Sequence, residues 1–433
     1  MDRAAPLLDR KARGAWATPR WLVEHLLDLV LEPVLVTRST AAGLRVLDPA
    51  CGDGRFLAAA AARIDRRFGA SSGRDRPALV GIELDSTTAA AARERLGPET
   101  TIVVGDALRM VHQERFDVLV GNPPFLNQLA RATTRRGRSE HGGGPYADAA
   151  VEFLALALRL ARPDGGRVGL VLPQSLLASR DAADVRREVA GVARLDGLWW
   201  SAGEMVFDAQ VHTVAASFVL GERQRSVRRW RGQACHELPP ADGTGLHQRP
   251  TWSHLLADAA GIPVVAAHTD GVLADRASAT AGFRDQFYGL IPFVRDGLSE
   301  APLVTSGLLD PGRSAWGERP ARFGGRRYLC PGVDLASLGA ADARLGAWIA
   351  ARRVPKVLLA TQTAVLEAAV DEPGTWVPSV PVVSVEPGTA DDLWPVGAVL
   401  CSPVTSAWAA QLRMPSSSEI FPASGASLPL RLR

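Results

Sequence analysis

Five residues, Gly121-Asn122-Pro123-Pro124-Phe125, limit the fold of this chain more tightly than any other stretch. They follow Phe116-Asp117-Val118-Leu119-Val120, an apolar run that predicts a buried parallel strand. The two prolines fix φ and lack amide donors, so the backbone leaves the sheet stiff and extended. The Asn122 side-chain oxygen and the Pro123 carbonyl are thereby presented as acceptors, with the Phe125 ring beside them. Two acceptors and a ring are what is needed to hold a planar group bearing an exocyclic NH2. A proline turn after a strand is the plainer reading of the same residues.

The stretch Leu44–Phe56 narrows the choice. An apolar strand ends at Asp48, the turn Pro49-Ala50-Cys51-Gly52-Asp53-Gly54 follows, and an alanine-rich helix runs from about Phe56 to Arg66. Glycines there let a ligand approach the backbone, with a helix N-terminus behind. The pattern is neither GxGxxG nor a lysine-bearing phosphate loop. Carboxylates at Asp48 and Asp53 would repel a pyrophosphate but suit a ligand carrying an ammonium and a sulfonium, which favours S-adenosyl-L-methionine over a dinucleotide. Two further strands, Ala78–Asp85 and Thr101–Leu108, carry acids near their carboxyl ends. Glu83 there can accept two ribose hydroxyls, and Asp106 an adenine amino group. Singly each acid reads equally well as a helix cap; together they predict a crevice at a topological switch point.

The remaining pattern to about residue 220 alternates helices and strands. Thr18 is expected to cap a helix with Pro19 at its first position, Leu22, Val23, Leu26, Leu27 and Val30 forming its buried face. Leu195–Trp200 and Thr213–Leu220 are expected to be a closing strand pair. The prediction is a doubly wound α/β domain. The polar stretch Leu126–Gly144 carries Arg131, Arg135, Arg136 and Arg138; it reads as a solvated loop or as a grip on phosphates.

These motifs, in this order, resemble the gamma-class, TaqI-type adenine-N6 DNA methyltransferases over about residues 14–220. The resemblance rests on Ala17-Thr18-Pro19, Asp48-Pro49-Ala50-Cys51-Gly52-Asp53-Gly54-Arg55-Phe56 and Asn122-Pro123-Pro124-Phe125. It implies a Rossmann-like methyltransferase fold with a terminal antiparallel strand, followed by a C-terminal α+β recognition domain. It implies a cofactor site of Thr18, Asp48, Ala50, Cys51, Gly52, Gly54, Glu83, Asp106, Ala107 and Asn122. It also implies a catalytic set of Asn122, Pro123, Pro124 and Phe125, with Phe207 as a second aromatic against the target base and Tyr146 near the start of the next helix. The partner implied is double-stranded DNA, with room for a separate restriction endonuclease. Phe125 departs from the tyrosine of close relatives: a stacking face is kept and a hydroxyl lost. Asn-Pro-Pro-aromatic is shared with RNA and glutamine methyltransferases, so RNA adenine and protein glutamine remain alternative acceptors. A catalytically silent DNA-specificity subunit is the non-enzymatic alternative.

Composition sets the outer limits. A chain of 433 residues with 47% hydrophobic and 22% charged residues is expected to form two or three soluble domains. No run has the length of a membrane span and the start is not a secretory signal, so a cytoplasmic location is expected. The 4 cysteines are scattered, and Cys235-His236 with His254 lacks finger spacing, so neither disulfides nor a metal are expected. Lys11 and Lys356 are the only lysines and neither follows a paired-acid pattern, which disfavours a fused carboxylate–lysine nuclease. The division is expected at 220/221, residues 221–433 forming the recognition domain. Its opening segment Arg223–Arg231 reads as a charged linker or a DNA contact. Beyond it, strand-like, turn-rich pieces are expected at Gly282–Leu290, Arg322–Leu329 and Pro355–Thr363.

Overall fold

The computed structural model describes residues 16–69, 76–126, 139–207, 212–263, 265, 271–282, 284–360, 363, 365–411 and 431–432. Arg131, Arg135, Arg136 and Arg138 lie outside the described residues, so their expected role is not addressed structurally. The chain divides into two compact units, Met1–Ala260 and Gly261–Arg433.

The first unit opens with helix α1 (Arg20–Val30). Thr18 does not cap it. Pro19 is extended (φ −58°, ψ 143°) and is itself the residue before the first turn, with no side-chain cap. Its carbonyl takes the amides of Leu22 and Val23 at 3.1 and 3.2 Å. Because Pro19 is extended and not helical, the helix starts one residue later than expected, and Thr18 is a buried residue ahead of it.

Strands β1 (Arg45–Asp48), β2 (Ala78–Glu83), β3 (Thr101–Val104), β4 (Val118–Gly121) and β5 (Arg167–Pro173) are parallel. Helices α2 (Arg55–Phe68), α3 (Ser86–Leu96) and α4 (Ala149–Leu160) connect them. Helix α5 (Ala183–Val192) then leads to β6 (Ala193–Trp200), and β7 (Thr213–Leu220) inserts antiparallel between β5 and β6. Two more strands, β8 (Ser226–Arg231) and β9 (His236–Asp242), complete the order 3-2-1-4-5-7-6-8-9. This is the Rossmann-like methyltransferase fold, with the antiparallel strand pair the sequence predicts. Leu22, Leu26, Leu27 and Val30 of α1 pack with Val46, Val118, Val120 and Val171 in one continuous core, which is why a strand flanked on both faces reads as an unbroken apolar run.

The unit therefore ends at Ala260 and not at 220. β8 pairs parallel with β6 along Gly197–Trp200, so the basic segment is part of the sheet and not a linker. Its central arginine is spent internally: Arg229 is buried, ion-paired with Asp258, and donates to the carbonyls of Pro239 and Leu255. Arg228 pairs with Asp196 and lies over the Trp230 ring.

The second unit is α+β. Ala277–Ala281, Val383–Pro387, Lys356–Ala360 and Glu367–Asp371 form a four-stranded antiparallel sheet. Val357, Leu359 and Val385 of that sheet pack against Leu393, Val396 and Leu400 of helix Leu393–Cys401. Lys356 is fully buried on Asp371, whose carboxylate also takes the amides of Thr375 and Trp376. A second cluster joins Leu290, Phe323 and Val333 to helices Leu335–Ala341 and Ala343–Ala350. Ala321–Phe323 and Arg326–Tyr328 pair as an antiparallel hairpin in the stretch expected to be strand-like and turn-rich. Arg284–Leu290, expected to be strand-like, is a helix: Phe287 and Leu290, three apart, share one core face. Among the described residues no single helix is long and apolar enough to cross a membrane.

Candidate active site

The strand order reverses between β1 and β4, and both strands deliver their chemistry at the same carboxyl edge. After Asp48 the chain turns through Gly52 (φ 55°) and Gly54 (φ 83°), left-handed conformations a side chain would strain. The Gly52 amide donates to Glu83 Oε2 at 3.0 Å and the Asp85 amide to Oε1 at 2.9 Å, so Glu83 is held against the glycine turn. Each carboxylate oxygen keeps a second lone pair for a hydroxyl donor. Cys51 is buried and its amide bonds the Ile82 carbonyl, tying the turn to β2. Burial and the charges of Asp48 and Glu83 push its thiol well above the usual range, so Cys51 is a packing residue. Asp106 caps the Leu108 amide and stays part exposed, while Ala107 is buried and its carbonyl contacts His112.

Asp48 is the electrostatic anomaly of the site. It is 1% exposed, and its Oδ1 accepts from the Ala50 amide at 3.1 Å. Burial pushes its carboxyl up to about 8; the Ala50 amide opposes the rise and the Glu83 charge adds to it. Asp48 also packs directly against the strand that leads into the Asn-Pro-Pro motif: a Cβ placed on Gly121 would lie 2.5 Å from its Oδ1. The strand leading into the glycine turn and the strand leading into the Asn-Pro-Pro segment thus touch through one carboxyl and one glycine.

Asn122 shows a polarity the sequence could not define. Its Nδ2 donates to the Trp16 carbonyl at 3.0 Å. A carbonyl only accepts, so the amide orientation is fixed by this bond. Asn122 Oδ1 is left buried with no partner. Such an orphan acceptor is costly, and its lone pairs are open to a donor. Phe125 and Phe207 meet beside it with centroids 6.2 Å apart and planes at 89°. The structure thus brings Phe207 to the motif, but as an edge-to-face pair and not as two parallel walls. The Leu126 amide donates to Asp148 Oδ1 at 3.2 Å and the Ala149 amide to the Leu126 carbonyl at 3.2 Å, fastening the end of the motif to the start of α4.

Two contributors escaped sequence reasoning. Trp16 acts through its backbone carbonyl, which no side-chain pattern reports. Leu84, directly after Glu83 at the end of β2, is 71% exposed. An apolar residue placed just beyond a strand-end acid was a signal available in the sequence.

The strand order is that of the Rossmann-like methyltransferase fold. Residues 7–213 match the model of the N-6 DNA Methylase family. The type II methyltransferase M.CvrRI of Paramecium bursaria Chlorella virus XZ-6E is 27% identical over 175 residues, 40% of this chain and 39% of that protein. A type II methyltransferase of Thermus thermophilus is 27% identical over 227 residues, 50% of this chain and 47% of that protein. The match spans less than half the length of either relative. Among solved structures, the type IIL restriction-modification enzyme MmeI, determined in complex with DNA, aligns with 94% of this chain and 64% of its own at a TM-score of 0.57 and 12% identity. At that identity the likeness concerns the fold.

Proposed function

We propose that this chain transfers a methyl group from S-adenosyl-L-methionine to the N6 amino group of adenine in double-stranded DNA, in a restriction–modification setting. The observation that carries the reading is the buried, unpartnered Asn122 Oδ1, oriented by Trp16. The family over residues 7–213 and the type II relatives support the same chemistry.

The residues present fit the cofactor. Glu83 accepts from ribose hydroxyls, Asp106 from the adenine amino group, and exposed Leu84 covers the adenine face. Gly52 and Gly54 keep side chains clear of the ligand, and Asp48, Ala50, Cys51, Ala107 and Thr18 complete the walls. Asp48 meets the cationic end. When bound, the sulfonium supplies an electrophilic methyl carbon.

The chain does the rest. Asn122 Oδ1 accepts one hydrogen of the target amine and the Pro123 carbonyl the other, while Pro124 keeps the segment extended. As the nitrogen lone pair forms the new N–C bond and the S–C bond breaks, the nitrogen gains positive charge. Both acceptors then hold it more tightly than in the ground state. No side chain at Asn122 is basic enough to take the proton first, so it leaves after transfer. Paired adenine is out of reach inside the helix, so the base is extruded onto Phe125, a stack worth about 1–3 kcal/mol. The perpendicular Phe207 meets that base by its edge or turns to let it pass. Residues 261–433 supply sequence recognition, the arginines of 131–138 grip phosphate, and a separate nuclease acts on unmethylated DNA.

A labelled-methyl assay comparing duplex DNA, RNA and protein acceptors tests the reading. Label is expected in DNA as N6-methyladenine. Label confined to RNA or to glutamine overturns the acceptor while keeping the chemistry, and no transfer to any acceptor overturns the function.

A further inference from the structure

The loop between β6 and β7 holds a feature that neither the cofactor site nor the Asn122 site uses. β6 runs parallel to β4 through the β5–β7–β6 pairing, so this loop opens at the same edge as Asn122. It begins with a tight turn in which the Glu204 amide donates to the Ser201 carbonyl at 2.9 Å. Both central residues are left-handed, Ala202 at φ 53° and Gly203 at φ 85°. A left-handed alanine is strained and persists only where its surroundings impose it. Here the restraint comes from the turn between β8 and β9. Glu204 Oε2 accepts the Gln233 amide at 2.8 Å, and Gln233 Nε2 donates to the Met205 carbonyl at 3.5 Å. The residue displayed by this braced turn is Met205, 67% exposed, two positions before buried Phe207. Arg231, opposite Trp200 at the end of β8, is exposed at the same edge.

Met205 thus presents a long, unbranched apolar side chain to solvent from a pinned backbone. It lies two residues before Phe207, whose ring meets Phe125, and Arg231 is exposed at the same edge of the sheet. Apolar side chains inserted between base pairs unstack the duplex, and arginine holds the adjoining phosphate. We propose that Met205 is a wedge that enters the DNA stack at the target adenine and fills the space the extruded base leaves, with Arg231 on the neighbouring phosphate. Met205 is then a positioning residue: it touches neither cofactor nor amine and acts by lowering the cost of extrusion. The proposal rests on the reading of the chain as a DNA adenine methyltransferase.

The test uses the full chain as wild type, Met205→Ala and Met205→Leu. Two duplexes carry the sequence that the wild type is found to methylate. In one the target adenine faces thymine; in the other it faces an abasic site, so that extrusion is already easy. Met205→Ala is expected to lose about tenfold or more in kcat/KM on the paired duplex and to stay within about twofold of wild type on the abasic one. Met205→Leu, which keeps an apolar wedge, is expected to stay near wild type on both. With 2-aminopurine at the target position, the fluorescence gained on binding wild type should fall in Met205→Ala and return in Met205→Leu. Equal losses on both duplexes, or no loss on the paired one, overturn the wedge. A wild type that methylates adenine in neither duplex overturns the underlying function instead.

Discussion

Asp48, held as a neutral acid until a cation arrives, is the residue on which the site's pH behaviour turns. Its carboxyl moves from an ordinary 3.8 to about 8 in the fold, so between those values the folded chain binds a proton that the unfolded chain has released. The stability tied to this group is fully present below pH 3.8 and is lost as pH rises through about 8, at no more than about 1.4 kcal/mol per pH unit. In cofactor-free protein, denaturant midpoints should fall from pH 5 to pH 8 more steeply for wild type than for Asp48→Asn, which cannot titrate; identical slopes would contradict the buried acid. Asp106→Ala should weaken S-adenosyl-L-methionine binding by about 1–3 kcal/mol by calorimetry, and unchanged affinity would remove Asp106 from the cofactor site. At this scale the sequence was legible in placement: Asn122, Glu83 and Asp106 stand at or just beyond strand ends, as expected. It was silent on Trp16, because the orienting group is a backbone carbonyl brought from 106 residues away.

Elements are placed by a few contacts that cannot be exchanged. Gly121 lies against Asp48 so closely that an alanine Cβ would fall 2.5 Å from a buried carboxyl oxygen. Gly121→Ala should therefore cost about 1–3 kcal/mol of stability in thermal or denaturant unfolding and lower transfer as well; a fully stable, fully active variant would show that β1 and β4 can part without penalty. Arg63 on α2, its side chain 8% exposed, joins α1 through Glu24 and Asp28 and so fixes the helix that follows Trp16 and Thr18. Legibility at this scale followed the physics of the local signal. Proline fixes φ and glycine admits the left-handed φ that other residues avoid, so the turn at 49–54 and the extended motif at 122–124 were clear. The Thr18 cap failed because a Thr-Pro pair fits either cap geometry. Arg284–Leu290 failed because a seven-residue stretch holds too few turns for period 3.6 to stand out from period 2.

For the whole molecule, the division at Ala260 changes which fragment should stand alone. Ser226–Arg231 looked like a charged boundary because four of its six residues are serine or arginine, yet Val227 and Arg229 point inward and Arg229 is satisfied by Asp258 and carbonyls. Burial of an arginine with full partners leaves no trace in composition. A fragment of residues 1–260 should be soluble and bind S-adenosyl-L-methionine while methylating DNA poorly and without sequence preference. Residues 1–220 should aggregate, because removing β8 bares the β6 edge along Gly197–Trp200. A 1–260 fragment that methylates the same sequence as the full chain would place specificity outside the second unit. The central claim, that Asn122 Oδ1 receives the amino group of adenine, is tested most directly by the full chain and its Asn122→Ala variant incubated with S-adenosyl-L-methionine and duplex DNA, with N6-methyladenine measured by mass spectrometry. The account predicts N6-methyladenine from wild type and none above background from Asn122→Ala, whose cofactor affinity stays within about threefold because Asn122 bonds the amine and not the methyl donor's charged end. Undiminished N6-methyladenine from Asn122→Ala, or none from wild type, would contradict it.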